Sequence, residues 1–304
     1  MTSDLLGDEA NAFIREFRGS SIRLGRQMGH GDRGGLFGGA QHILTTYLPK
    51  ALDGDEVFAG KLRMGGLGLC DMLGFNYFPD SHRDIGFTLV ERVDHKCNEC
   101  AATTFFLFLR PRSQSVRCRV TAIGHDCQGA EGIISVGHGD GYEVTFFDPR
   151  YIQFAQQCAV SMDLRVRYAA LVYRIHLAEH HKLVISDPHK VARIRSRRQG
   201  CAPEDITDFS PIVIQTDQLA SYAPGVWDDA NNDDFRFQGP LEDLREIHFL
   251  GQKIYVGHMT FRLAMPKFRC TLYIPETAVA PGVNLEQGVG LVGTAWLQGH
   301  YTMV

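Results

Sequence analysis

The sequence lacks three features that commonly identify a protein's partners: a long apolar run, an excess of basic residues and a nucleotide-binding motif. The apolar stretch at residues 103–109 is far shorter than the roughly 20 residues of a membrane-spanning helix, so we expect no membrane span. The chain carries 31 Lys and Arg against 35 Asp and Glu, a net charge of −4, which argues against a nucleic acid partner because phosphate binding requires a basic face. No P-loop, Rossmann glycine fingerprint or G-x-S-x-G turn occurs, and we predict no cofactor.

The sequence also lacks the signature of a secreted protein. Its first nine residues contain neither the basic nor the apolar region of a signal peptide. The eight cysteines are spread along the chain rather than spaced as in a small disulfide-bonded domain. We therefore expect a cytoplasmic protein with free thiols.

The most regular pattern lies in residues 252–304. Apolar and polar residues alternate there along residues 253–265, then in shifted phase along 268–274, and again along 289–303. A period of two is typical of strands that bury one face, and predicts three antiparallel strands. At least two of them exceed the usual five or six residues, which favours a strongly curved sheet or a barrel.

The whole chain reads as a mainly β protein: a curved antiparallel sheet or barrel, either lipocalin-like or a two-part β sandwich. An N-terminal helical segment (residues 1–56) precedes two β-rich halves (57–150 and 163–304), which form separate units or one continuous domain. Residues 164–177 fit a helix or a strand. Their Val, Tyr and Ile content favours a strand with a bulge where the apolar phase changes at Tyr173.

Two histidines on the polar faces of the last strands are the candidate proton carriers. They are His258, and His300 on the same strand face as Thr294, Trp296 and Gln298. In a barrel or deep sandwich this face lines a cavity, and a mixed aromatic and polar lining is typical of small-molecule sites. The competing interpretation is that the face meets solvent.

These residues predict a protein that binds a largely apolar small molecule, with Trp296, Gln298 and Tyr301 as ligand contacts. Tyr301 lies on the opposite strand face from His300 and joins the site only if the strand twists or both faces are enclosed. If the protein is an enzyme, His258 and His300 indicate acid/base chemistry such as hydration, cyclisation or isomerisation. The alternative is a non-catalytic lipid or metabolite carrier. The sequence carries no signal of the oligomeric state.

Residues 293–301, Gly-Thr-Ala-Trp-Leu-Gln-Gly-His-Tyr, resemble the closing strand of the lipocalin-like carotenoid hydratase group. The resemblance covers too short a stretch to assign a role to any residue. Its implication is limited to the lipocalin-like alternative for the fold.

A third hypothesis is a metal-dependent hydrolase. His176, Glu179 and His180 match the inverted zinc-peptidase motif H-x-x-E-H. That chemistry needs a helix, which places both imidazoles on one face, whereas a strand points Glu179 away from them. The preference for a strand here counts against the motif, and we predict no metal among the site residues.

Two weaker patterns suggest a metal site and a general base. Cys97-x-x-Cys100, with a further Cys and His downstream, suggests a structural zinc site, although a single C-x-x-C is a weak signal. Gly-His-Gly-Asp occurs twice, at His30 and at His138, and pairs a possible base with an acid. Turn formation is the simpler explanation for both tetrapeptides.

A basic run spans residues 190–198 and includes Lys190, Arg193 and Arg195. Such a run could bind a phosphate or a carboxylate. It is more often a solvated strand edge or loop, and we predict a short strand at residues 191–195.

Overall fold

The computed structural model describes residues 37, 40–51, 54–64, 67–94, 99–126, 130–138, 142–179, 182–215, 220–225, 232–261 and 267–304, which form a mainly β protein. Within these ranges there are three α-helices, Ala40–Ala51 (α1), Tyr151–Phe154 (α2) and Pro188–Gln199 (α3). The first part of the predicted helical segment, residues 1–36, lies outside the described residues, and α1 falls within its last part. None of the described helices is long and apolar enough to cross a membrane.

The first four strands form an antiparallel sheet, called here the small sheet, in the order of the chain: β1 (Glu56–Met64), β2 (Gly68–Tyr77), β3 (Ile85–Asp94) and β4 (Glu99–Leu109). Helix α1 packs on it, and the ring of Tyr47 stacks on Phe87 with centroids 5.2 Å apart. Helix α2 packs beside β1, where a Cβ on Gly60 would lie 1.8 Å from the carbonyl oxygen of Ile152. Only glycine at this position allows so close a contact.

Twelve strands follow: β5 (Val116–Asp126), β6 (Glu131–Gly137), β7 (Glu143–Asp148), β8 (Asp163–Leu177), β9 (Lys182–Ile185), β10 (Ile212–Gln215), β11 (Ser221–Pro224), β12 (Asp234–Pro240), β13 (Glu242–Phe249), β14 (Gln252–Phe261), β15 (Phe268–Pro275) and β16 (Gly290–Met303). Strands β9 and β10 pair with each other. The other ten form the large sheet, in the order β11-β12-β16-β7-β6-β5-β8-β15-β14-β13. An additional pairing of β8 with β16 closes five of these strands into a ring.

The mainly β prediction is confirmed, and the three strands predicted in residues 252–304 are β14, β15 and β16. Strands β14 and β15 pair antiparallel as expected. Strand β8 lies between β15 and β16 and runs parallel to β15, so the large sheet is mixed rather than purely antiparallel. A lipocalin-like topology stays a prediction.

Each face of the large sheet borders its own hydrophobic core. On β8, Tyr168, Ala170 and Val172 face the core inside the large sheet, whereas Ala169 and Leu171 face the core shared with the small sheet. All five side chains are fully buried. A strand with two buried faces has a continuous apolar sequence. For this reason residues 164–177 fitted a helix as well as a strand.

The predicted strand and bulge in residues 164–177 are confirmed. The register of β8 against β16 shifts between the pairs Arg174–Thr294 and Val172–Ala295, so Tyr173 is the inserted residue.

The strand predicted at residues 191–195 is wrong, because these residues belong to α3. The side chain of Asp187 accepts hydrogen bonds from the backbone N–H groups of His189 and Lys190, and Pro188 begins the helix. Gly200 ends it in the left-handed conformation, with φ of 70°. These start and stop signals outweigh the local alternation.

The free edge of β4 rests on the outer face of the large sheet, where polar side chains satisfy its backbone. The amide of Gln298 donates to the carbonyl of Leu107 at 2.6 Å and accepts from the N–H of Leu109 at 2.9 Å. Leu107 and Leu109 present these groups on the same side of the strand, so the amide replaces a neighbouring strand. Two more bonds continue the contact: Arg112 N–H to Thr271 Oγ1 at 2.9 Å, and Tyr273 O–H to Arg110 C=O at 2.6 Å.

Candidate functional site

The two predicted proton carriers lie on the same face of the large sheet but not together. The registers place His258 beside Thr271, Thr271 beside Ala169, and Ala169 beside Gln298, in one row across four strands. His300 is two residues beyond Gln298. Three strand spacings separate the histidines by about 14 Å. This distance is too long for both to act on one reacting atom.

His258 lies at the far end of this row with both ring nitrogens unpartnered among the described residues. The Nδ1 atom is 3.9 Å from the carboxylate of Asp243. Burial lowers the pKa of His258, and the guanidinium of Arg269 adds to this effect. His258 is therefore neutral at pH 7.

The predicted ligand contacts on the polar face of β16 meet protein groups. Trp296 is fully buried, and its Nε1 donates to Asp233 Oδ2 at 2.5 Å. Gln298 is also fully buried, with its amide bonded to the backbone of β4. The face is sheltered from solvent by the small sheet, and Gln298 bonds the two sheets together.

A second group of polar side chains meets where the ends of β7 and β16 approach the small sheet. Gln298 pairs in parallel with Phe147, so the residues after Phe147 lie beside those after Gln298. We call this group the junction site. Its members are Glu56, Arg83, Arg110, Asp148, Arg150, His300 and Tyr301.

Glu56 connects the three arginines of the junction site. Its Oε1 is 2.5 Å from Arg110 Nη2, and its Oε2 is 3.0 Å from Arg150 Nη2. Burial opposes ionisation of Glu56, but hydrogen bonds from Arg110 and Asn76 outweigh it and lower the pKa. Arg83 is more distant, with Nη2 at 3.8 Å from Glu56 Oε1.

The arginines also pack on aromatic rings. The Cζ atoms of Arg83 and Arg110 lie 5.1 and 4.8 Å from the ring centroid of Phe78. That of Arg150 lies 5.9 Å from the centroid of Phe108. Guanidiniums stacked on rings are held in place while their N–H groups stay able to bind other groups.

Three shielded nitrogens of the junction site have no hydrogen-bond partner among the described residues: the donors Nε of Arg83 and Nε of Arg150, and Nε2 of His300, which donates or accepts according to the tautomer of the ring. Buried polar atoms are nearly always hydrogen-bonded, so three in one place need an explanation. Arg83 also has a φ of 54°, a left-handed conformation that is uncommon outside glycine and often occurs at functional sites.

His300 is held neutral at this site. Burial lowers its pKa to about 3, and the nearby guanidinium of Arg150 lowers it further. The ring packs edge-on against Phe108, with centroids 5.0 Å apart. A neutral imidazole can donate or accept a hydrogen bond but is a weak base at this pKa.

Asp148 is the titratable group with a pKa near neutrality. Burial raises its pKa to about 7, and the hydrogen bond from Arg150 N–H to Oδ1, at 2.9 Å, offsets only part of this. Tyr301 is close enough to lower the pKa slightly, yet neither Asp148 Oδ2 nor Tyr301 Oη meets hydrogen-bond geometry with a described residue. The carboxyl therefore keeps one oxygen unpartnered.

Two open grooves flank α2, directly after Arg150 in the chain. One, of about 380 Å³, is lined by Gly60, Asp71, Ile152 and several glutamines. The other, of about 500 Å³, is lined by Leu62, Leu69, Tyr151, Ala155 and basic residues. These volumes lie in the range of small-molecule pockets.

The described residues of the metal-hydrolase motif do not lie on a helix. His176 lies on β8, Glu179 follows the strand, and His180 is outside the described residues. Across the described ranges, no group of three or more His, Cys, Asp or Glu side chains is placed to hold a metal ion.

The remaining motifs are only partly described. Cys97, His30 and Asp140 lie outside the described residues, and so does the side chain of Cys100. His138 is described and buried, and its Nε2 lies 2.8 Å from the hydroxyl of Tyr168 inside the large sheet. Burial lowers the pKa of His138 to about 4.

Five members of the junction site carry no signal in the sequence: Glu56, Arg83, Arg110, Asp148 and Arg150. They are scattered over some 95 residues, and the docking of the small sheet brings them together. Asp148 followed by Pro149 indicates only the end of a strand.

Comparison with known proteins assigns this chain to no family. No protein-family model, no curated protein and no solved structure matches it.

Proposed function

We propose that the protein binds a small, largely apolar molecule at the junction site and the adjoining grooves, and that Asp148 exchanges a proton with it. The observation that carries this proposal is the buried carboxyl of Asp148, with its unpartnered oxygen and its pKa of about 7. A general acid or base works best when its pKa is near the working pH. Hydration, cyclisation and isomerisation all require such a group.

The histidines take different roles from those expected from sequence. His300, with a pKa of about 3, would serve as a neutral hydrogen-bonding group beside the ligand. His258 lies too far from the junction site to serve the same reacting atom. Tyr301 remains a proposed ligand contact, because its hydroxyl faces Asp148.

The test is a fluorescence titration with N-phenyl-1-naphthylamine, a neutral apolar dye, between pH 5.5 and 8.5. An apolar ligand beside Asp148 desolvates the carboxyl further and raises its pKa, so binding takes up a proton. The affinity should fall about tenfold as the pH rises through 7, for a further shift of one pKa unit. Asp148→Asn should bind with an affinity independent of pH.

The matched control is Asp163→Asn, which changes a half-buried carboxylate paired with Arg117 and Arg119 of β5. This variant should keep the wild-type pH dependence. Absence of saturable binding would overturn the proposal. A non-catalytic carrier would give the same affinity at every pH in both the wild type and Asp148→Asn.

A further inference from the structure

We propose that the ligand of the junction site carries an anionic group, a carboxylate, sulfonate or phosphate, which binds the guanidinium of Arg83 together with those of Arg110 and Arg150. This inference rests on the proposed function, because it names the class of ligand that the same site takes. It adds a specific anchor, Arg83, and a chemical requirement on the ligand.

The charge balance of the site favours an anion. Three guanidiniums, those of Arg83, Arg110 and Arg150, face two carboxylates, Asp55 and Glu56, and Asp148, with a pKa of about 7, adds only a partial negative charge. The hydrogen bonds of Glu56 are with Arg110 and Arg150, and Arg83 has only its long ion pairs, so the three guanidiniums together carry a surplus positive charge. A bound anion would neutralise it.

Arg83 has the donors that an anion needs. Its guanidinium makes no hydrogen bond with any described residue, and its two ion pairs are long, at 3.9 Å to Asp55 and 3.8 Å to Glu56. Nearly half of the side chain, 44%, is exposed, which leaves a path from solvent. A planar guanidinium binds a carboxylate, sulfonate or phosphate through two parallel N–H bonds.

The position of Arg83 is fixed rather than incidental. Its guanidinium and that of Arg110 both stack on Phe78, so the two groups lie within about 10 Å of each other. The backbone of Arg83 is left-handed, a strained conformation that persists only where the surrounding structure imposes it. Nε of Arg150 adds another unpartnered, shielded donor to the same site.

The test compares two dyes with the same skeleton, at constant ionic strength. One is the neutral N-phenyl-1-naphthylamine, and the other is 8-anilinonaphthalene-1-sulfonate, which adds one anionic group. We expect the sulfonate to bind the wild type at least tenfold more tightly, with a stoichiometry of one. Arg83→Gln should remove this difference, because it lowers the affinity for the sulfonate at least tenfold and lowers that for the neutral dye much less.

Two further variants complete the design. Arg83→Lys keeps the charge but loses the planar fork, so it should give an intermediate affinity for the sulfonate. Arg117→Gln, which removes an exposed arginine paired with Asp163, should leave both affinities unchanged. Urea unfolding of each variant, with an unchanged midpoint, excludes dye binding to a partly unfolded protein.

The outcomes separate the two proposals. Two results would overturn the proposal that the ligand carries an anionic group and leave the proposed function intact. They are an equal affinity of the wild type for both dyes, and an undiminished affinity of Arg83→Gln for the sulfonate. If the sulfonate binds in an Arg83-dependent way but the neutral dye does not bind, the proposal of a largely apolar ligand is overturned and the anion site is supported. Failure of both dyes overturns both proposals.

Discussion

The contact between the small sheet and the large sheet has two parts of opposite character. Along the edge of β4, Gln298, Thr271 and Tyr273 bond the backbone groups that lack a neighbouring strand. At the junction site, a few residues away, the side chains of Arg83 and Asp148 retain atoms without partners among the described residues. Both parts lie where the same two sheets meet.

The difference shows how polar groups in a contact serve either the fold or a ligand. A satisfied buried network stabilises one arrangement, because removing any member leaves its partner desolvated and unbonded. An unsatisfied group costs free energy, and that cost is recovered when a ligand supplies the missing partner. Substitutions in the first part should therefore change stability, and those in the second part should change binding.

The largest effect is expected from Gln298→Ala. The change removes both partners of the β4 edge and leaves the carbonyl of Leu107 and the N–H of Leu109 buried and unbonded. At about 1 to 3 kcal/mol for each group, the free energy of unfolding should fall by about 3 to 5 kcal/mol in urea denaturation. Thr302→Ala, an exposed position on the same strand, is the control and should be nearly neutral.

Asp148→Asn should stabilise the protein in a pH-dependent way. The folded pKa of about 7 is above the unfolded value of 3.8, so Asp148 stabilises the fold while protonated and loses that contribution as the pH rises towards 7. The variant should nearly match the wild type at pH 4 and exceed it at pH 8 by on the order of 4 kcal/mol. Equal unfolding free energies at pH 8 would contradict the shifted pKa.

Thr271→Val should have a smaller effect of the same kind as Gln298→Ala. It keeps the shape of the side chain but removes the acceptor of the Arg112 N–H. One unsatisfied backbone donor costs about 1 to 2 kcal/mol in unfolding free energy. Thr302→Val tests the same substitution on an exposed residue, and an equal loss in both would argue against a special role for Thr271.

Arg83→Gln should have the smallest effect on stability. The guanidinium of Arg83 makes no hydrogen bond with a described residue, and its ion pairs are long and half exposed. Loss of its contact with Phe78 should cost less than about 1 kcal/mol in thermal or urea unfolding. A loss as large as that of Gln298→Ala would place Arg83 in the structural part of the contact.

The strands could be predicted from sequence because their signal is local. Alternation identified β14, β15 and β16, and the phase change at Tyr173 identified the bulge in β8. The insertion of β8 between β15 and β16 could not be predicted, because both faces of β8 are buried and its run of apolar residues has no period. A local pattern determines whether a segment forms a strand, whereas the strands that pair with it in the sheet depend on the whole chain.

The candidate site was less predictable for the same reason. Trp296, Gln298 and His300 share one strand face, as their spacing of two residues predicts, but the sequence left open whether that face is sheltered. The shelter is β4, a strand almost 190 residues earlier. Whether an amide binds a ligand or a backbone depends on that distant partner. The arginines and Asp148 have no common spacing, so only the docking of the two sheets reveals them as a group.

The most direct test of this division is one paired measurement on Arg83→Gln: its affinity for 8-anilinonaphthalene-1-sulfonate and its free energy of unfolding, each relative to the wild type. We predict that the affinity falls at least tenfold while the unfolding free energy changes by less than about 1 kcal/mol. An unchanged affinity, or a loss of affinity that accompanies a large loss of stability, would contradict the account.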